Sequence, residues 1–234
     1  ALGNVRNFAY DGLGRRLTAQ DLHAAADSTY GSWNYAYDNA GNLASTIDPK
    51  NQTTKYGYDA LHRIISEDYT GSTGIEVSYA YDVCQNGIGK VCSVNSAAAS
   101  DVYVYDSLGN ISSQSRTLAS ANYVTSYTYD RQGNALTVTN PDGSQIKYIY
   151  NSAGLLEQVQ RKESTDSVFA SVVNNFDYSP EGKIVTQINA NGTVTANTYD
   201  ANKLYRLTNK ITTTAGGVRI QDLAYVYDAM GNIT

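Results

Sequence analysis

The chain is poor in most of the residues on which chemistry is built: 234 residues hold two cysteines, two histidines, one tryptophan, one methionine, three phenylalanines and three prolines. The histidines, His23 and His62, stand far apart in sequence, with no second nitrogen or sulfur ligand at metal-site spacing and no triad pattern around either. Gly-x-Ser-x-Gly, His-Glu-x-x-His and phosphate-cradling glycine loops are all missing, so the sequence gives no ground for an enzyme, a cofactor or a metal. Basic residues are neither in excess nor clustered: 17 Lys and Arg face 22 Asp and Glu, for a net charge of −5. That balance argues against nucleic acid and against an anionic membrane surface as partners. No apolar run reaches the roughly 20 residues of a membrane-spanning helix, and no signal-peptide pattern opens the chain. The chain starts at Ala1 without Met and stops at Thr234 just after a Tyr-Asp-Ala-Met-Gly-Asn-Ile step, with no capping unit at either end. We therefore expect a fragment of a longer array.

What the chain has is tyrosine, 21 in all. Ten of them anchor a repeated aromatic-x-Tyr-Asp step or a near variant of it: Tyr10, Tyr37, Tyr58, Tyr81, Tyr105, Tyr129, Tyr150, Tyr178, Tyr199 and Tyr227. Successive anchors lie 27, 21, 23, 24, 24, 21, 28, 21 and 28 residues apart, a unit of 21 with insertions. Seven more tyrosines sit two residues before an anchor, and Phe8 and Phe176 fill that slot in two other units. A period of this length marks a repeat architecture, read here as one continuous array over residues 1–234.

Each unit carries two turn signals about ten residues apart. The first is Asp-x-x-Gly, with glycine four residues after the anchor in seven units (Gly14, Gly41, Gly109, Gly133, Gly154, Gly182, Gly231). Asp at the first turn position accepts backbone N–H groups, and glycine tolerates positive φ. The second is Asp48-Pro49-Lys50-Asn51, Asn140-Pro141-Asp142-Gly143 or Asn189-Ala190-Asn191-Gly192. Between turns lie short runs rich in Thr, Tyr, Val and Ile, which is strand composition. The pattern predicts an all-β fold, a long antiparallel meander of about twenty strands, with 19–26 as the one segment suited to a short helical insertion. If the first turn closes with a glycine bulge, Tyr37 falls opposite Leu43, and a Leu43, Ser45, Ile47 row shares its face while Thr46, Thr53 and Lys55 turn the other way. At roughly 4.8 Å per strand such a sheet would span on the order of 90 Å, so we expect it to curve and to need a cover over its apolar face.

Tyr10-Asp11-Gly12-Leu13-Gly14-Arg15-Arg16-Leu17, Tyr37-Asp38-Asn39-Ala40-Gly41-Asn42-Leu43 and Tyr105-Asp106-Ser107-Leu108-Gly109-Asn110-Ile111 resemble the YD repeats of the Rhs family, shared with the C subunits of bacterial toxin complexes and with teneurins. The resemblance covers essentially the whole chain. It implies a β-ribbon that forms part of a hollow shell, a toxin polypeptide as enclosed partner, and a secreted or cell-surface location. Rhs proteins also carry an aspartyl self-cleavage site. Asp48-Pro49 continues as Lys50-Asn51-Gln52 in an ordinary turn, and that role is not transferred to it.

Cys84 and Cys92 flank a glycine-rich hairpin turn, which favours a structural disulfide over two free thiols. Surface and turn roles account for His23 and His62. Turn geometry accounts for the aspartates one by one, with weak calcium binding as the alternative. The sequons at Asn51, Asn110, Asn191 and Asn232 follow from Asn in turns preceding Thr or Ser in strands. Tyrosine rows suit stacking along the sheet, or else sugars. The leading expectation is a non-enzymatic wall segment whose partners are the rest of its shell or an enclosed polypeptide. The alternative is an adhesion or glycan-binding module of a secreted wall-associated protein. Open sheet edges add an expectation of edge-to-edge association.

Overall fold

The computed structural model describes residues 3–71 and 73–234, and contains no α-helix among them. The chain divides into two compact units, residues 1–123 and 124–234. In the first, β1 (Asn4–Val5) pairs with β4 (His23–Ala24). The main ladder runs through β2 (Phe8–Tyr10), β3 (Arg16–Gln20), β5 (Ser32–Tyr37), β6 (Leu43–Ile47), β7 (Thr53–Tyr58), β8 (Ile64–Tyr69), β9 (Val77–Tyr81), β10 (Val91–Ser96), β11 (Ala99–Tyr105) and β12 (Ile111–Leu118), each antiparallel to the next. The division falls within β13 (Ala121–Tyr129). From there the second unit repeats the meander through β14 (Ala135–Thr139), β15 (Gln145–Tyr150), β16 (Leu156–Lys162), β17 (Ala170–Tyr178), β18 (Ile184–Asn189), β19 (Val194–Asp200), β20 (Arg206–Thr213) and β21 (Arg219–Ala224). Within each unit the ladder stays open: among the described residues its first strand does not pair with its last. Strands joined by tight turns, each paired with its neighbour in sequence, are what the two turn signals per repeat dictate.

Among the described residues the buried apolar side chains are only Ala19, Cys92, Tyr105 and Val173, and no large side chain is fully buried. Strand positions are mostly half-exposed on both faces. Hydrogen-bonded ladders and cross-strand pairs therefore carry a larger share of the stability than in a layered domain.

Two sequence expectations are corrected. Residues 19–26 form no helix: Ala19 is buried in β3 between Phe8 and Trp33, His23 and Ala24 belong to β4, and Asp27 closes a turn onto the Ala24 carbonyl at 2.9 Å. Ladder partners on both sides outweigh the helical propensity of the Ala-rich stretch. Among the described residues the only helical turn is the 3-10 segment η1 (Ala201–Lys203), where the first turn is lengthened.

The Leu43, Ser45, Ile47 row also divides. Tyr37 pairs with Leu43, but a register shift between Ala36 and Tyr37 sets Ser45 against Ala36, Thr46 against Tyr35 and Ile47 against Asn34. The bulge adds one residue, so alternation reverses beyond it. Thr46 joins the aromatic face, and Ser45 and Ile47 join the face of Lys55 and Thr53.

Candidate functional site

The Asp-x-x-Gly turn is closed largely by one side chain. The Asp38 N–H donates to the Asn42 carbonyl at 2.9 Å and Gly41 N–H to the Asp38 carbonyl at 3.1 Å. Asp38 Oδ1 accepts from the N–H groups of Ala40 and Asn42 at 2.9 and 2.8 Å, and Oδ2 from the Asn42 side-chain amide at 2.8 Å. Asp106 and Asp130 repeat the arrangement with Asn110 and Asn134. In two repeats arginine takes the fifth place, and Arg15 and Arg63 each donate Nε to the turn carboxylate, of Asp11 and Asp59 respectively, at 2.7 Å. These bonds favour the charged carboxylate. The Asn42 amide first, and backbone N–H groups after it, hold Asp38 below the usual range; at Asp11 and Asp59 the largest cause is the backbone N–H of the arginine.

The anchor tyrosines bridge successive repeats. The ladder between β6 and β7 stops at Ser45–Lys55 while β7 continues to Tyr58, which leaves the Leu43 carbonyl two residues beyond the last pair. Tyr58 donates its hydroxyl to that carbonyl at 2.9 Å. The same latch joins Tyr150 to Ala135, Tyr178 to Leu156 and Tyr199 to Ile184, at 2.9, 2.6 and 3.0 Å, always reaching six residues past the preceding anchor. Tyr37, Tyr105 and Tyr227 make it to Arg16, Val91 and Leu207 at 2.9, 2.6 and 2.8 Å. A carbonyl beyond the ladder gains a protein donor in this way, and at Ile184 the Asn197 amide adds a second at 3.0 Å.

A second tie uses the turn cations. Arg15 lies over the Tyr37 ring at 4.6 Å, Arg63 over Tyr81 at 4.3 Å, Lys183 over Tyr199 at 5.4 Å and Arg206 over Tyr227 at 5.5 Å. The cation of one repeat thus stacks on the anchor of the next. Within-strand ring contacts are looser, with Phe8–Tyr10 and Tyr127–Tyr129 centroids both 6.4 Å apart.

Three turns depart from the pattern. His62 occupies the glycine position at φ 63°, its N–H still bonded to the Asp59 carbonyl at 3.0 Å, and its Nδ1 lies 3.0 Å from Asn42 Oδ1 of the preceding turn. After Tyr199, the 3-10 turn ends in Leu204 and Tyr205 at φ 57° and 53°. After Tyr81, Cys84 and Cys92 form a disulfide with Cα atoms 5.5 Å apart. Gly87 packs so tightly against the bridge that a Cβ would sit 2.2 Å from Cys84 Sγ. The Asn86 amide then reaches the Tyr105 carbonyl at 3.0 Å.

The histidines are not brought into one site. His23 is buried, against the surface role expected of it, stacked 3.9 Å from Tyr30 and in contact with Gln20 and the Ala24 carbonyl. Among the described residues no group of three or more His, Cys, Asp or Glu could hold a metal, and no helix is long and apolar enough to cross a membrane. The sequon residues Asn110 and Asn232 spend their amides on turn aspartates Asp106 and Asp228. The latch carbonyls and the stacked cations were missed from sequence. The recurrence of Arg or Lys five residues after Tyr10, Tyr58 and Tyr178 was the available signal.

Residues 37–73, 105–145 and 129–165 match the RHS Repeat family model. Double-stranded DNA deaminase toxin A of Burkholderia cenocepacia (strain H111) is 28% identical over 168 residues, which are 70% of this chain and 10% of that protein. The crystal structure of TcdB2-TccC3 superimposes with a TM-score of 0.84 at 20% identity. The Photorhabdus luminescens Tc holotoxin pore does so with 0.83 at 20%. Each covers 97% of this chain and 12% of the other, so the chain spans about a tenth of the proteins it matches. The registered Tyr-Asp steps, the RHS Repeat match over residues 37–73 and 105–165 and the shared fold agree: the chain is similar to RHS-repeat proteins and has the fold of the toxin-complex structures.

Proposed function

We propose that this chain is a non-enzymatic wall segment of an Rhs-type shell that encloses a toxin or other cargo polypeptide. The observation that carries this reading is the latch. Seven anchor hydroxyls are bonded to carbonyls of the preceding repeat, and the turn aspartates are bonded to their own turns. The most abundant functional groups are thereby committed to holding repeats in register. The fold shared with toxin-complex proteins supports the same reading, as does the open ladder, whose edge strand β21 is exposed at all six residues and suits cover by further repeats or by another copy. On this reading the array is continuous over residues 1–234, and the parent protein is secreted or displayed at the cell surface. Electron microscopy of the full-length protein tests it: a closed wall with polypeptide density inside is expected. An open module with no enclosed volume contradicts it.

A further inference from the structure

One position on the aromatic face of the first unit breaks the pattern. In nine of the ten repeats the residue two before the anchor pairs across its hairpin, with Ala19, Thr46, Val94, Gln114, Val138, Val159, Gln187 or Lys210 in eight, and only at Tyr56 is that partner a carboxylate, Glu67. Glu67 is held in place by two hydroxyls, Tyr69 donating to Oε2 at 2.7 Å and Tyr79 to Oε1 at 2.8 Å. Those bonds push both tyrosines up to about 12, which keeps them as donors over the working pH range. Among the described residues no Lys or Arg forms an ion pair with Glu67. The carboxylate instead borders a cleft of about 520 Å³ lined by Trp33, Thr46, Thr54, Tyr56 and Tyr69, with Asp48 at its margin.

The same unit shows what this combination of groups holds. Arg63 is gripped by the carboxylates of Asp59 and Asp82 at 2.7 and 2.6 Å, and its guanidinium lies 4.3 Å over the Tyr81 ring. The cleft offers a fixed carboxylate, indole and phenol rings and the charge of Asp48, whose Oδ1 is bonded to the Lys50 and Gln52 N–H groups, with the cation left to be supplied from outside. We propose that it binds the arginine side chain of a polypeptide partner. A guanidinium can stack on a ring while its N–H fork meets the lone pairs that Tyr69 and Tyr79 leave on Glu67. A lysine ammonium satisfies the charge without the planar stacking, and a sugar satisfies the rings while leaving the carboxylate uncompensated.

Trp33 is the only tryptophan in the chain, so its fluorescence reports on the cleft directly. The test titrates the chain with acetyl-Gly-Arg-Gly-amide, with the neutral acetyl-Gly-Gln-Gly-amide, and with chitotriose. A saturable response to the arginine peptide is expected, at least tenfold weaker for the glutamine peptide and weakened by salt. Glu67→Gln should reduce it by tenfold or more, with circular dichroism checking that the fold is kept. Because the two peptides are compared on the unaltered chain, the result stands even if the variant is unstable. Equal responses to both peptides, a response to chitotriose alone, or no response at all would overturn the proposal. The cleft uses residues of the first unit only, so its failure leaves the shell reading untouched.

Discussion

The turn after Tyr37 and the loop after Tyr81 close equivalent hairpins by different means. At Asp38, one carboxylate gathers two backbone N–H groups and an amide. At Tyr81, the disulfide between Cys84 and Cys92 adds a covalent closure, and Asp82 accepts from Arg63 and from the Gly89 N–H across the loop. The latch survives the exchange: Tyr58 reaches Leu43 across a six-residue step, and Tyr105 reaches Val91 across a ten-residue one. How a turn closes is therefore negotiable. The delivery of one carbonyl to the next anchor is what both forms share.

Acid should separate the two closures most widely, because it acts on every turn carboxylate at once. Asp11, Asp38, Asp59, Asp106, Asp130 and Asp228 all titrate below the ordinary 3.8 in the folded chain. A depressed folded pKa stabilises at pH above 3.8 and its contribution is lost as pH falls through the folded value. Amide exchange followed from pH 7 to 2 should show the Asp38 turn loosening first, with the covalently closed 82–92 loop lagging behind.

Reduction reverses the order. Opening the Cys84–Cys92 bridge should destabilise the first unit by roughly 2–3 kcal/mol, the value expected for so short a loop, as read by denaturant unfolding with and without reductant. The Asp38 turn should be unaffected locally.

Glycine exchange is the finer probe. Gly41 stands at φ 89°, and a Cβ there would meet only Arg15 Nη1 at 3.7 Å, an ordinary contact, so Gly41→Ala should cost about 1–2 kcal/mol, chiefly through backbone strain. His62→Gly, in the corresponding position at φ 63°, should recover up to about 1 kcal/mol, less whatever its contact with Asn42 contributes. Thermal melts of both variants check the signs.

The meander and the turn positions were legible because strand period, Asp and glycine are local signals. Tyr37 opposite Leu43 followed from turn chemistry alone, and the structure pairs them so. The faces beyond the bulge were not legible, since one extra residue reverses Ser45, Thr46 and Ile47 together and the sequence does not mark where the strand absorbs it. The 19–26 segment misled because the ladder partners of Ala19, Phe8 and Trp33, lie outside it. The tyrosine hydroxyl bonds were hidden for a related reason: their acceptors are carbonyls exposed where a ladder ends, and that endpoint is a tertiary fact.

The latch itself is tested most directly by Tyr150→Phe, which keeps the ring and removes only the hydroxyl that bonds the Ala135 carbonyl at 2.9 Å. Denaturant unfolding should show a loss of about 1 kcal/mol with an unchanged slope, the ordinary worth of one such bond. Wild-type stability in that variant would contradict the claim that anchor hydroxyls hold successive repeats together.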